Sequence, residues 1–324
     1  MISPSFFSGI YKLRLSTIYL RYIFYDQTMS RVSVLCCLKS RELHKLFKPR
    51  GNEMAKKGQL SIDKFQATMP VTNEAAQKPP YYYRNMRMMF VTYRTDEEAA
   101  LAWLPEALEL DEPALVTIII AHYGFSTFGP YNEAMMAIRA RLDGELVSYY
   151  PALFTDNEAP LIGGREIWGW PKKLAKISIS DQSEVMMGIV ERPTNNRLLT
   201  ATMRNVTPVA PEDFPTTNNV SLKVIPCATE SKKPALAQLI GSNLDLVPHV
   251  GSNGVADLWT GPGSVCFDAP SEIDSWYKLP VKEIVGCYSG TFDAVLGHGR
   301  ILKELKEKCW LLKLFIDKSL HSAF

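Results

Sequence analysis

From residue 81 onward the chain sets short apolar runs between turn residues. "RMMFVTY" (87–93) reads as a strand, and "ALVTIIIAHY" (114–123) is an almost wholly apolar, β-branched run of the kind buried on both faces. Further runs of strand length follow at short intervals: "AMMAIRARL", "ELVSYYPAL", "AKISISD", "EVMMGIVE", "RLLTATMRN", "SLKVIP", "PALAQLI", "SVCFDA" and "KEIVGCYSGTFDAV". Few helical patterns separate them, which predicts a mainly β protein, an antiparallel barrel or sandwich rather than a parallel α/β sheet. One helix start is written in capping-box form: Thr95 at the N-cap, Glu98 three residues on, then apolar residues at helical spacing. The tail "ILKELKEKCWLLKLFIDKSL" repeats Leu305, Cys309, Leu312, Ile316 and Leu320 every three or four positions, the pattern of an amphipathic helix. Such a helix is expected to pack on the body or on another subunit, with a membrane-surface helix as the alternative.

Charge divides the chain unevenly. Residues 1–50 hold nine Lys or Arg against two acids, a net +7, so with +2 overall the remainder carries −5. A mildly acidic body excludes a nucleic-acid function that needs a basic folded face. The first 26 residues are aromatic and basic, but Lys12, Arg14 and Arg21 interrupt their apolar runs too often for a membrane span of about 20 residues. They also lack the pattern of a secretory signal, leaving two readings: a mitochondrial presequence, or an upstream extension with Met29 or Met54 as the functional start. Residues 1–75 are accordingly expected to be a poorly ordered basic extension and linker, 76–305 the folded domain, and 306–324 a helical tail. The six cysteines are scattered without CxxC pairs, as in a reduced intracellular protein, so a cytoplasmic location is expected, with the mitochondrion as the alternative. The five histidines form no metal-binding spacing, and there is no nucleotide-binding glycine motif; no metal site is expected.

Against this background "GREIWGWPKKLAK" (164–176) stands out. A lysine is a nucleophile only as the free amine, which water at neutral pH almost forbids. Removal from water and a second cation nearby both favour the amine. Trp168 and Trp170 supply dry surface, and Lys173 adjoins Lys172. Adjacent side chains of an extended segment point to opposite faces, so only one lysine can enter a pocket and desolvation should matter more than the neighbouring charge. On composition alone, an exposed lysine pair is the ordinary case.

The segment resembles the signature of the acetoacetate decarboxylase family, in which Gly-Arg-Glu, a short variable stretch, an aromatic residue and Pro-Lys-Lys-Leu surround a Schiff-base lysine. Further resemblances occur in the same order: "YRTD" (93–96), "PEALELDEP" (105–113), "GPYNEA" (129–134), "DNEAP" (156–160), "LKVIP" (222–226), "WTGP" (259–262) and "LPVKEIV" (279–285). Activation of a lysine by burial or a neighbouring cation is the device already known for acetoacetate decarboxylase.

The resemblance implies an acetoacetate decarboxylase-like β-barrel with peripheral helices, a homo-oligomer, and decarboxylation of a small-molecule β-keto acid. Lys172 would form the imine, so that no organic cofactor or metal is called for. Glu133 matches the family's active-site glutamate, Lys173 the second lysine as electrostatic support or an outward ion pair, and Trp170 the aromatic wall. Arg165 and Glu166 read as a structural ion pair.

Two positions depart from the family: its arginine falls on Met86, with Arg84 and Arg87 nearby, and its other glutamate falls on Ile118. A greasier pocket is therefore expected, suited to a longer β-keto acid such as one from polyketide or fatty-acyl metabolism. The rival expectations are a Schiff-base aldolase-dehydratase and a non-catalytic ligand-binding barrel. A membrane-associated or scaffolding role, suggested by the basic extension, comes last.

Overall fold

A computed structural model describes residues 56–229 and 233–305, together with two short strands, Arg14–Leu15 and Ile18–Tyr19, paired with each other. Contacts divide the chain into two units, Met1–Gln59 and Leu60–Phe324. Apart from that strand pair, the expected extension through residue 55 lies outside the described residues, as does the expected tail from residue 306.

The second unit is built from strands in nearly the places the apolar runs predict. In chain order those of three or more residues are β1 (Tyr81–Arg94), β2 (Leu115–Ser126), β3 (Tyr131–Leu142), β4 (Glu145–Thr155), β5 (Lys172–Leu174), β6 (Lys176–Ser180), β7 (Val185–Glu191), β8 (Arg197–Arg204), β9 (Asn218–Ile225), β10 (Leu236–Ser242), β11 (Leu258–Thr260), β12 (Gly263–Phe267), β13 (Glu283–Leu296) and β14 (Arg300–Glu304), with two-residue strands at Glu109–Leu110, Thr207–Pro208 and Val247–Pro248. Helix α1 (Glu97–Leu101) follows β1, and α2 (Glu158–Gly163) precedes a π-helical turn, Gly164–Trp168. The chain is mainly β.

The large sheet runs β11–β13–β1–β2–β3–β4–β9–β10–β14, with β5 also paired to β4, and its hydrogen bonding does not close into a barrel. A second sheet, β12–β8–β7–β6, packs against it. Antiparallel pairing dominates, but β4 meets both β5 and β9 in parallel.

The two faces of β2 explain where the core and the cavity lie. Ile118 and Ile120 point toward the second sheet and pack with Val190, Leu199 and Ala201. Ile119, one residue away, points to the opposite face and into a separate cluster with Met88, Tyr123 and Leu153. The apolar run predicted burial on both faces, which β2 has.

Three local readings are corrected. The helix cap is Asp96, whose side chain accepts from Ala99 N at 3.1 Å; Thr95 is buried one residue earlier with no partner for its hydroxyl. The Asp96 carboxylate reaches the first turn, whereas Thr95 is still held by β1's continuation, its N–H bonded to Ala114 O. The start of the apparent C-terminal helix, residues 301–304, is strand, because the open edge of β10 offers it backbone partners from Gln238 to Gly241. Residues 60–75, expected to be part of the extension and linker, belong to the same unit as the sheets, and Thr68 is buried there.

Candidate active site

The site lies where β3, β4 and β5 run side by side under the π-helical turn. Glu133 stands opposite Thr155 across the β3–β4 pair, and Lys172 opposite Leu153 across β4–β5, which brings both side chains to one face of the sheet. Lys172 is 8% exposed and Glu133 3%, and the Lys172 ammonium donates directly to Glu133 Oε1. Desolvating two such groups costs several kcal/mol each and is tolerated where they pair and hydrogen-bond closely.

Strand alternation separates the two lysines as expected. Lys173 turns outward, 40% exposed along its side chain, and its Nζ donates to Asp274 Oδ1 at 2.8 Å and to Ile273 O at 2.6 Å. Asp274 also takes Arg192 Nε at 3.0 Å. Lys173 thus anchors β5 to the loop before Leu279 and leaves the buried amine to Lys172 alone.

The turn that delivers the lysine explains the glycine of its signature. A Cβ on Gly164 would lie 2.8 Å from Lys172 Cε, 2.9 Å from Cδ and 3.2 Å from Nζ. Gly169 ends the turn at φ +79°, and a Cβ there would stand 2.3 Å from Lys223 Cα on β9. The first glycine makes room for the Lys172 side chain; the second permits the left-handed turn and its close approach to β9.

Arg165 and Glu166 do not pair with each other, contrary to the sequence reading. Successive residues on a helical turn diverge rather than face one another. Arg165 Nη1 donates to Lys172 O at 3.0 Å, and Glu166 Oε2 accepts from Met69 N at 2.9 Å. One therefore fixes the backbone of the lysine strand, and the other ties the turn to the segment before β1.

Four tyrosines that sequence reasoning passed over surround the pair. Tyr123 donates to Glu133 Oε2 at 2.7 Å and stacks on Tyr131, with ring centroids 4.2 Å apart. Tyr83 lies 5.3 Å from Tyr123, and Tyr150 donates to Asn219 Oδ1 at 3.1 Å. Burial, and then the negative charge of Glu133, holds all four hydroxyls well above the usual tyrosine range, so they remain proton donors. The available signal was period two: Tyr131 and Glu133 on one strand, Tyr81 and Tyr83 on another.

These raised values set a sign for pH dependence. Each folded-state value lies above the unfolded one of about 10, so the tyrosines' contribution is fully present below that pH and is lost as pH rises beyond it. In an alkaline titration the tyrosinate absorbance of these groups is expected to appear only together with loss of the β-sheet circular dichroism. Their ionisation in a still-folded protein would contradict this. Tyr123→Phe is expected to cost about 1.5–3 kcal/mol by urea denaturation, the range for a lost bond to a buried charged acceptor.

Glu133, Lys172 and the tyrosines line one part of a cavity of about 360 Å³. Trp168 and Trp170 wall it, buried to 1% and 8% exposure; Trp168 meets Tyr81 edge-on at 5.2 Å and Trp170 meets Tyr150 at 5.0 Å. Met88, Phe90, Ile119, Met135 and Leu153 extend the wall as apolar surface.

The residues expected from the family departures are placed elsewhere. Ile118 packs between the sheets, Met86 is fully buried beside Phe292 behind the cavity wall, and Arg84 is half exposed and paired with Asp293 at 3.4 Å. None of the three is among the lining residues. The shift has a local cause: at Asn85, φ 57°, β1 bulges against β13, Arg84 and Asn85 standing opposite the single residue Asp293, so the cavity face changes from Tyr81 and Tyr83 to Met88, Phe90 and Thr92.

Among the described residues no group of three His, Cys, Asp or Glu is placed to hold a metal ion, and no helix is long and apolar enough to cross a membrane.

Comparison with known proteins places this geometry. Residues 68–305 match the family model described as acetoacetate decarboxylase. Acetoacetate decarboxylase 1 of Bradyrhizobium diazoefficiens is 33% identical over 238 residues, covering 72% of this chain and 91% of the relative. The acetoacetate decarboxylase of Paraburkholderia xenovorans is 31% identical over 244 residues, covering 72% and 90%. The crystal structure of acetoacetate decarboxylase from Legionella pneumophila superposes with a TM-score of 0.66 at 28% identity, covering 78% of this chain and 99% of that one. The fold is shared more widely, as with the enduracididine biosynthesis enzyme MppR complexed with pyruvate, at TM-score 0.63, 18% identity and coverage of 74% and 98%. With the match spanning every element that builds the site, the chain belongs to the acetoacetate decarboxylase family.

Proposed function

We propose that the protein decarboxylates a β-keto acid through a Schiff base on Lys172. The observation that carries this reading is a buried lysine in direct contact with one carboxylate inside an aromatic cavity. Glu133 is placed to take the ammonium proton, which frees the amine to attack the ketone carbon. The carbinolamine loses water to give a protonated imine. The bond from the α-carbon to the carboxylate then breaks, carbon dioxide leaves, and the electron pair moves through the new carbon–carbon double bond to nitrogen as an enamine. Protonation at carbon and hydrolysis release the ketone and restore the lysine. Nitrogen serves as the electron sink, so these steps call on no further group. The apolar wall suits a substrate longer than acetoacetate, of the kind produced by polyketide or fatty-acyl chain building, and dry surroundings favour a step that disperses charge.

A second reading keeps the imine and changes its fate to aldol condensation or dehydration. It is favoured by the lining itself: among the described lining residues Arg139 is the one Asp, Glu, Lys or Arg besides Glu133 and Lys172, so none of them sets a further cation inside the cavity at the lysine end to receive a carboxylate. The test of both is incubation with β-keto acids of graded length in the presence of borohydride. An adduct mapped to Lys172 with release of carbon dioxide supports decarboxylation, and an adduct without it supports the second reading. No adduct with any keto compound would sink the lysine mechanism.

A further inference from the structure

The cavity has a second polar end that the chemistry at Lys172 does not use. Along β3 the cavity-facing positions are Tyr131, Glu133, Met135, Ala137 and Arg139. Six residue steps of strand lead from Glu133 to Arg139, about 20 Å at roughly 3.3 Å per step. The register carries this order across the sheet. Phe90, Ile119, Met135 and Leu153 form one apolar row, and Thr92, Thr117 and Ala137 the next. Beyond them Arg139 stands opposite Ser148. Thr92 and Thr117 hydroxyls lie 2.9 Å apart, and those of Ser148 and Thr217 2.6 Å apart. The cavity is therefore polar at both ends and apolar between them.

At the far end two guanidiniums meet one buried carboxylate among the described residues. Asp111, 7% exposed along its side chain, accepts from Arg141 Nε at 2.8 Å and forms an ion-pair contact with Arg139 Nε at 2.6 Å that lacks hydrogen-bond geometry, so two guanidiniums share one buried carboxylate. Glu109 is opposite Arg141 in register but exposed, where solvent screens it. Arg139 is the member that lines the cavity. A guanidinium beside paired hydroxyls at the end of an apolar channel is suited to a carboxylate, which accepts from several donors at once.

We infer that the Arg139 end of the cavity binds a second, distal carboxylate, so that the ligand is an elongated dicarboxylate with an apolar middle, its keto-acid end at Lys172. The inference rests on the proposed function only for the identity of the end at the lysine; the distal site stands on the lining, the register and the ion pairs. It also gives Arg139 a role in choosing the substrate, separate from the chemistry.

Binding of saturated probes tests it without turnover, read by the fluorescence of Trp168 and Trp170. Straight-chain dicarboxylic acids of about ten to eighteen carbons, a series that reaches the separation above, are compared with monocarboxylic acids of the same lengths. The wild-type protein is expected to bind the best diacid at least about tenfold more tightly than its monoacid counterpart. Arg139→Met is expected to abolish that preference. Thr117→Val, which leaves the Asp111 pairs intact, is expected to weaken diacid binding severalfold and leave monoacid binding unchanged. Equal binding of diacid and monoacid by the wild type overturns the inference, as does a preference that survives in folded Arg139→Met and is untouched in Thr117→Val. Failure of the Schiff-base reading is separable, because it shows as absent borohydride adducts whatever the probes do.

Discussion

Lys172→Ala is expected to abolish both the borohydride adduct and carbon dioxide release, lowering kcat/KM by about a thousandfold or more, as loss of a covalent nucleophile does. The geometry makes the result specific. Lys172 meets Glu133 within the cavity, whereas Lys173 points outward to Asp274, so Lys173→Ala is expected to keep the adduct and most of the rate. The same substitution at 172 leaves the Glu133 carboxylate buried without its cation, which costs about 3–5 kcal/mol of stability. Activity loss and unfolding must therefore be read apart. Combining Lys172→Met with Glu133→Gln removes both charges and is expected to recover most of the stability, measured by urea denaturation, with no return of activity. Recovery of turnover in that double variant would place the nucleophile elsewhere.

Gly164→Ala is expected to lower kcat/KM about a hundredfold with little change in Tm, the scale on which a displacement of about 1 Å acts on a reacting group. The backbone at Gly164 is ordinary right-handed helix, φ −59°, so alanine meets no conformational strain there. What it meets is the far end of Lys172, at 2.8 Å from Cε and 3.2 Å from Nζ. A flexible side chain gives way at small cost, and the amine moves off its contact with Glu133. KM and kcat are expected to shift together with the rate of adduct formation. An unchanged adduct rate, or a large fall in Tm, would show that the glycine serves the fold rather than the lysine.

How much of this was legible beforehand follows from the range of the forces involved. Strand positions were, because burial on one or both faces writes a local period into the sequence: β2, β7, β8 and β13 fall where the apolar runs lie. So was the unequal fate of Lys172 and Lys173, since alternation along an extended segment needs no partner. The ordered motifs from residue 93 to 285 pointed to the family that the comparisons then established.

Positions that depend on what lies opposite were not legible. Met86 and Ile118 were read as pocket residues by counting along strands. A bulge at Asn85 against β13 reassigns the β1 face, and Ile118 serves the core between sheets while Ile119 serves the cavity. Residues 301–304 carried a helical pattern and became a strand because β10 had an edge to fill. The tyrosine cage, the space that Gly164 leaves for Lys172, and the distant partnership of Arg139 with Asp111 join residues from separate strands and turns. Short-range periodicity and side-chain chemistry thus located the strands and the lysine that turns inward, while the shape and charge of the pocket around it arose from register and packing between segments far apart in the chain.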